Sequence, residues 1–289
     1  MVGLWNLKIN NTYNKLKMKV KIKKVSVANL SALIKKMLLM DSSLYINVNS
    51  ERVWSSIYTP TKDVVKSFGI PTSEVFEFED QPKETLKLSF FSGSRLLSCI
   101  GMFDPHHLSM EISTFKDNDE SVLFADKIIL RDQKLKIEIH CQDISLGFTS
   151  MTDEQVKRAF DESTSAFDFI FTKEDISKVI SLLTLDRGEL LKIVGDSDGI
   201  HINTDAFDIV IDDRQSIKTP IIKSTFKTFL DKLDKETYQV SVCESKLILK
   251  SQESSTLIAL NLAITVSAAA SASSNSFLAL AFPAAILAL

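Results

Sequence analysis

The sequence predicts an α+β fold in which short helices lie on one face of β-sheets. Three observations carry this. A strand, a short amphipathic helix and two or three further strands recur four times between Met18 and Val266. Within each recurrence the apolar positions switch from alternation to helical spacing. The 289 residues are 45% hydrophobic and 25% charged with 8 Gly and 6 Pro, which suits one or two packed domains and excludes pervasive disorder or a collagen-like chain. Repetition at this spacing calls for repeated structural units, and few helices among many strands for helices segregated to one sheet face.

The first unit opens with strand 19–25, where Val20 and Ile22 alternate with lysines. Helix Asn29–Met40 follows, with Leu30, Leu33, Ile34, Met37 and Leu38 on one face, and then strands Leu44–Val48 and Val53–Tyr58 around the polar turn Asn49-Ser50. The second unit has strand Thr85–Phe91, helix Ser94–Phe103 and strands Leu108–Phe115, Ser121–Ile129 and Lys134–His140. The third has strand Ala166–Phe171, a helix over Thr172–Leu183 started by Thr172 with Asp175, and strands Leu190–Gly195, Gly199–Thr204 and Phe207–Ile211. Asp198-Gly199 is a hairpin signal. The fourth has strand Ser216–Ile222, helix Ser224–Leu233 and strands Tyr238–Cys243, Lys246–Ser251 and Thr256–Ile264.

The units pair into two similar domains, 18–142 and 166–266, joined by a connector at 143–165 with a short helix Asp153–Asp161 capped by Thr152 and Gln155. Residues 1–17 form a lead that need not belong to the fold. Residues 267–289 form an uncharged, apolar low-complexity tail read as disordered or artefactual, with a membrane or partner anchor as the alternative; its stretch Phe277–Leu289 has 13 residues, too short to span a bilayer.

The net charge of −3 is uneven. Residues 1–40 carry nine Lys and no acid, so the remainder carries −12. Bulk acidity argues against coating nucleic acid with the whole surface, though not against contact through one face.

The segment FIFTKEDISKVISLLTLDRGELLKIVGDSDGIHINTDAFDIVID (Phe169–Asp212) and the closing YQVSVCESKLILKSQESSTLIALNLA (Tyr238–Ala263) resemble the DNA polymerase sliding clamps, those of tailed phages above all, and are similar to the proliferating cell nuclear antigen family. The resemblance spans roughly residues 18–264 and is one of pattern, since clamps have no short invariant motif; the lead and the tail have no counterpart, and Asp117–Glu120 reads as an elaborated loop. It implies the DNA-clamp fold, each domain built of two β-α-β-β-β units with helices on the inner face and sheets outside. It implies a homotrimeric ring that encircles duplex DNA without reading sequence, tethers a DNA polymerase and is opened by an ATP-dependent clamp loader. It implies a non-catalytic protein of the bacterial host's cytoplasm, free of membrane, cofactor and metal.

On that reading the DNA-binding cations lie opposite the apolar helix stripes: Lys35 and Lys36, Arg95, Lys173 and Lys178, and Lys223, Lys227 and Lys232. Sequence-independent attraction to phosphate asks for dispersed Lys and Arg. Lys223 and Lys227, four apart, are expected on one helix face. Any one of these lysines is equally explained as belonging to a solvated helix face; recurrence in all four units favours the DNA role. The partner-binding candidates are the connector residues Ile144, Leu146, Phe148 and Met151. The −12 would then form an outer surface that repels DNA. The alternative function is a structural or assembly protein of a virion built from repeated β-rich units.

Catalytic signatures are missing. The sequence has no phosphate-binding glycine loop. His140-Cys141 has no further Cys or His at zinc spacing. Asp196-x-Asp198-Gly199 is explained by a turn, and Asp212-Asp213 lacks the companions of a nuclease site. Cys99, Cys141 and Cys243 read as buried thiols.

Overall fold

The first unit begins with β1 (Leu16–Val25), α1 (Val27–Leu38), β2 (Leu44–Val48) and β3 (Arg52–Tyr58), closely as the periodicity predicts. A further strand, β4 (Val64–Pro71), follows. It supplies the third strand that the sequence reading leaves out of this unit. A one-turn helix α2 (Thr72–Val75) and a short strand β5 (Phe76–Phe78), also unforeseen, lead to the second unit. That unit is β6 (Thr85–Phe90), α3 (Gly93–Ile100), β7 (Ser109–Lys116), β8 (Val122–Arg131) and β9 (Lys136–His140). Helix α4 (Asp153–Ala159) lies between the halves and starts with the expected Thr152–Gln155 capping box. The third unit is β10 (Ser165–Phe171), α5 (Lys173–Leu183), β11 (Leu190–Asp196), β12 (Gly199–Asn203) and β13 (Asp208–Asp212). The fourth is β14 (Ile221–Phe226), a 3-10 helix Lys227–Lys232, β15 (Tyr238–Cys243), β16 (Lys246–Lys250) and β17 (Ser254–Ala259). This computed structural model describes residues 16–116, 122–143, 150–161, 165–186, 188, 190–234, 236–251 and 254–259. The lead, the loop Asp117–Glu120, the tail and the connector residues Ile144, Leu146 and Phe148 lie outside or largely outside them.

The fourth unit corrects the sequence reading. Its first strand runs to Phe226, where the sequence pattern predicts Ser216–Ile222. The β-branched run Ile221, Ile222 and Thr225 favours strand, and Ser224 and Thr225 are buried in register with Lys192 and Leu191 of β11. Only six residues remain for the helix, which winds as a 3-10 turn. Lys223 therefore sits on a strand and shares no helix face with Lys227.

Sheet order exposes the repeat. A 13-stranded sheet runs β10-β15-β16-β17-β4-β3-β2-β6-β8-β7-β1-β5, with β9 on the far side of β8. A four-stranded sheet runs β13-β12-β11-β14. The order β4-β3-β2-β6 of the first half matches β13-β12-β11-β14 of the second. Likewise β1-β7-β8-β9 matches β10-β15-β16-β17. Each half thus has two four-stranded sheets of the same connectivity. Within the first half they are fused by the parallel pairing of β6 with β8. Between the halves they are fused by β17, which pairs antiparallel with β4 from Ser254↔Phe68 to Ile258↔Val64.

The helices cover one face of these sheets. Leu30, Leu33, Ile34 and Met37 of α1, Leu96 and Ile100 of α3, Ile176 and Val179 of α5, and Phe229 and Leu230 of the 3-10 helix join one continuous core with inward strand residues such as Leu86, Ile112, Phe169 and Val240. Helices α1 and α3 pack closely because Gly93 opens α3. A Cβ there would lie 2.7 Å from the Leu44 side chain and 2.9 Å from Leu38 Cδ2. Gly199 turns the β11–β12 hairpin at φ +131°, where a Cβ would meet the Asp212 carbonyl at 2.4 Å.

Candidate nucleic-acid interface

The helix faces turned away from the core are the surface that the sequence pattern singles out. Helix α1 is capped by Ser26, whose Oγ accepts from Asn29 N at 3.4 Å. Its solvent stripe is Ala28, Ala32, Lys35 and Leu39. Helix α3 is capped by Ser92 and exposes Ser94, Arg95 and Ser98. Helix α5 starts with a full capping box, Asp175 N donating to Thr172 Oγ1 at 3.1 Å and Thr172 N to Asp175 Oδ2 at 3.2 Å. It exposes Lys173, Glu174, Ser177, Lys178, Ile180 and Ser181. Several of the serines spend their hydroxyls on their own helix: Ser98 donates to Ser94 O at 2.9 Å, and Ser177 and Ser181 donate to Lys173 O and Ser177 O at 2.8 Å each. What reaches solvent is a surface of Ala and Ser with dispersed cations, interrupted by the apolar Leu39 and Ile180 and by the acidic Glu174.

The eight predicted cations divide into two groups. Lys35, Arg95, Lys173 and Lys178 are exposed on helices opposite the apolar stripes. Three of the other four are tied down. Lys36 pairs with Glu236 Oε1 at 3.2 Å. Lys223 Nζ donates to Glu244 O at 2.8 Å from β14. Lys227 Nζ donates to Asp186 O at 3.1 Å, in the turn after α5, and Lys232 is half-buried. A lysine whose ammonium is spent on a carbonyl or carboxylate has less to offer a phosphate.

One charged residue escaped sequence reasoning altogether. Lys66 of β4 is fully buried, its Nζ 2.7 Å from Asp234 Oδ2 and 3.1 Å from the Lys232 carbonyl. Burial pushes its ammonium below the ordinary lysine range, and the Asp234 charge opposes that. Burial also acts on Glu236, but hydrogen bonds from Ser251 and Lys36 together with the Lys36 charge outweigh it and hold that carboxyl below its usual value. The Lys36–Glu236 and Lys66–Asp234 pairs thus fasten α1 and β4 of the first half to the turn before β15 of the second. A lone Lys in an otherwise apolar run was the available signal.

Of the partner-binding candidates, Met151 is described. Its N donates to Ser56 O at 2.9 Å, and it packs with Tyr58 and Phe160 against buried Val65 and Ala159. Lys246 Nζ donates to the Ala159 carbonyl at 2.7 Å and so holds the end of α4 on this side of the sheet.

Helices on one sheet face, two similar halves and β17 stitched onto β4 decide the architecture. This is the DNA-clamp fold. Proliferating cellular nuclear antigen from Entamoeba histolytica superposes with a TM-score of 0.59 at 11% identity, over 84% of this chain and 98% of that one. PCNA from Thermococcus kodakaraensis gives 0.55 at 12%, over 84% and 100%. A. fulgidus PCNA, solved with the C-terminal region of FEN-1 bound, gives 0.56 at 10%, over 84% and 98%. No family model matches the sequence. No curated protein matches it either.

The sheet face away from the helices is not the uniformly acidic surface that the charge arithmetic suggests. Cross-strand pairs alternate there, with Lys19 Nζ 2.7 Å from Glu111 and Lys127 Nζ 2.7 Å from Glu138. Among the described residues no group of three or more His, Cys, Asp or Glu is placed to hold a metal ion. No helix among them is long and apolar enough to cross a membrane.

Proposed function

We propose that this chain is a sliding clamp: copies of it close into a ring around duplex DNA and tether a DNA polymerase for processive synthesis, with no chemistry of their own. The observation that carries the reading is the junction inside the chain. Strand β17, the last of the second half, pairs with β4, the fourth of the first half. Their counterparts by sheet order are β9 and β13. Among the described residues β9 pairs only with β8 and β13 only with β12, so each keeps an open edge. The half-buried Leu135, Ile137 and Ile139 at one edge and Phe207 and Ile211 at the other are apolar and incompletely covered. Pairing β9 of one copy with β13 of the next repeats the internal junction and covers both. Such a head-to-tail contact propagates from copy to copy, and it gives a ring when the rotation between copies closes. Three copies is the number the clamp resemblance implies.

In that ring the helices face the hole. Lys35, Arg95, Lys173 and Lys178 would meet phosphates without reading bases. The Met151 region beside α4 and the apolar connector would take the polymerase. An ATP-driven loader would open a single β9–β13 junction, in the cytoplasm of a phage-infected bacterium.

The test is topological. The protein, loaded onto nicked circular DNA by its loader, should remain bound through gel filtration and be lost when the circle is linearised. The oligomer should disappear in Ile139→Lys while the circular dichroism spectrum and melting temperature stay near those of the parent. Equal retention on circular and linear DNA, or a monomer at every concentration, would overturn the reading. Charge reversal at Lys35, Arg95, Lys173 and Lys178 together should leave the oligomer intact and lower the salt dependence of DNA binding, each lost phosphate contact removing about 0.9 from the log–log slope.

A further inference from the structure

We infer that the junction between copies carries a proton-sensitive cluster on its outer face, with Glu138 and His140 of one copy set against Asp208 and His201 of the next. The inference rests on the ring reading above and follows from the register of the internal junction. Thr59 N donates to Val64 O at 2.9 Å to close the β3–β4 turn, and Thr204 N donates to Phe207 O at 2.9 Å to close β12–β13. Val65 is therefore the counterpart of Asp208. This agrees with the pairings Tyr58↔Val65 and Asn203↔Asp208 next to those turns. On the other side, Lys250↔Ser255 and Arg131↔Lys136 are the pairs nearest the β16–β17 and β8–β9 turns. Leu257 is then the counterpart of Glu138. Val65 pairs with Leu257 inside the chain. Transferred to the contact between copies, Asp208 stands opposite Glu138 and Val210 opposite Lys136. The same register sets Ile137 opposite Ile209 and Ile139 opposite Phe207 on the core side. The apolar residues thus meet apolar residues, as a correct register requires.

The outer side is different. Two carboxylates lie directly opposite, an arrangement that destabilises a strand pair unless positive charge is supplied. Each already has an imidazole near it. His140 Nε2 is 3.8 Å from Glu138 Oε1, and His201 Nδ1 is 3.3 Å from Asp208 Oδ1. On β12, His201 also faces Asp196 of β11, Nε2 to Oδ1 being 3.6 Å. From β8, Lys127 holds Glu138 at 2.7 Å, and Arg131 lies across from Lys136. On the second copy's side Lys192 of β11 lies 4.0 Å from Asp205, and Asp212 of β13 is occupied by Arg214 at 3.2 Å. With both imidazoles neutral, Lys127 is the one fixed cation in contact with the directly opposed pair Glu138 and Asp208; Lys136, Arg131 and Lys192 flank the contact, and Asp196 and Asp205 add negative charge beside it. Imidazole is the side chain that gains charge between about pH 8 and pH 5. Closing the junction concentrates negative charge around His140 and His201, so the closed junction binds protons more tightly than the separated copies. Linkage then fixes the sign: association strengthens as pH falls, by up to about tenfold per pH unit for one proton taken up.

The experiment is the subunit dissociation constant of the whole protein, by sedimentation velocity over a dilution series at about pH 8 and about pH 6, at constant ionic strength. The parent should associate at least tenfold more tightly at the lower pH. Glu138→Gln, which removes one of the opposed charges on an exposed side chain, should associate about tenfold more tightly than the parent at the higher pH and lose most of the pH response. His201→Gln should flatten the response without tightening. An oligomer whose dissociation constant is flat with pH, or a Glu138→Gln protein that keeps the parent's slope, overturns the cluster and leaves the ring standing. Absence of any oligomer at both pH values overturns the ring and the cluster with it.

Discussion

Removing the Asp234 carboxylate tests how the two halves are fastened. In Asp234→Ala the Lys66 ammonium, on a side chain with no exposure, keeps the Lys232 carbonyl at 3.1 Å and the more distant charge of Glu236. Breaking a buried ion pair from one side costs about 3–5 kcal/mol. Deprotonation sets a ceiling, because the ammonium can lose its proton instead. From the ordinary lysine value of 10.5 that costs about 5 kcal/mol at pH 7 and about 2 kcal/mol at pH 9. The penalty should therefore be about 3–5 kcal/mol at pH 7 and shrink towards about 2 kcal/mol at pH 9. The sign follows from linkage. Folding lowers the Lys66 pKa, so the unfolded chain binds the proton more tightly, and stability rises with pH up to the ordinary value. Lys66→Met combined with Asp234→Ala removes both charges and should recover to within about 1–2 kcal/mol of the parent. Urea unfolding followed by the fluorescence of Trp54, which is buried with Arg52 stacked 4.3 Å from its ring, gives the free energies. A penalty under about 1 kcal/mol at pH 7, no relief at pH 9, or a double variant less stable than Asp234→Ala would refute the reasoning.

Two further outcomes follow from the packing. Gly93→Ala should lower stability by about 1–3 kcal/mol, because the added methyl must displace Leu44 and Leu38; a thermal melt unchanged from the parent would mean that α1 and α3 do not pack this closely. Burial raises the Cys141 thiol to about 12, so at pH 8 it should carry on the order of a thousandfold less thiolate than an ordinary cysteine and resist alkylation. Peptide-resolved mass spectrometry after iodoacetamide treatment checks this, and labelling of Cys141 as fast as in unfolded protein would contradict its partial burial; of the three cysteines expected to be buried, Cys243 is, and Cys99 and Cys141 are half-buried.

The features legible in the sequence are those whose signals are local. Helices α1 and α5 declare themselves by apolar spacing, α5 also by its Thr172 cap, and the β11–β12 hairpin by Asp198-Gly199; the Ser26 cap of α1 is seen only in the structure. Strand β4 does not, because Lys66 interrupts its apolar run and its partner Asp234 lies 168 residues further on. The start of the last helix is misread from sequence because Ser224 and Thr225 look like polar helix residues. Only their burial against β11 shows them to be strand. The same limit applies to the cations. Composition places lysines on every unit, but whether an ammonium is free, as for Lys35 and Lys178, or spent, as for Lys223 on the Glu244 carbonyl, depends on where a distant strand ends.

By itself, then, the sequence determined four repeated units, two similar halves and helices confined to one sheet face, because hydrophobic periodicity is written residue by residue along the chain. The tertiary structure decided the rest. It set β17 against β4, left β9 and β13 open in matching positions, and divided the predicted cations into free and bound. Those outcomes depend on strand register and on contacts between residues far apart in the chain, and neither leaves a periodic trace in the order of the amino acids.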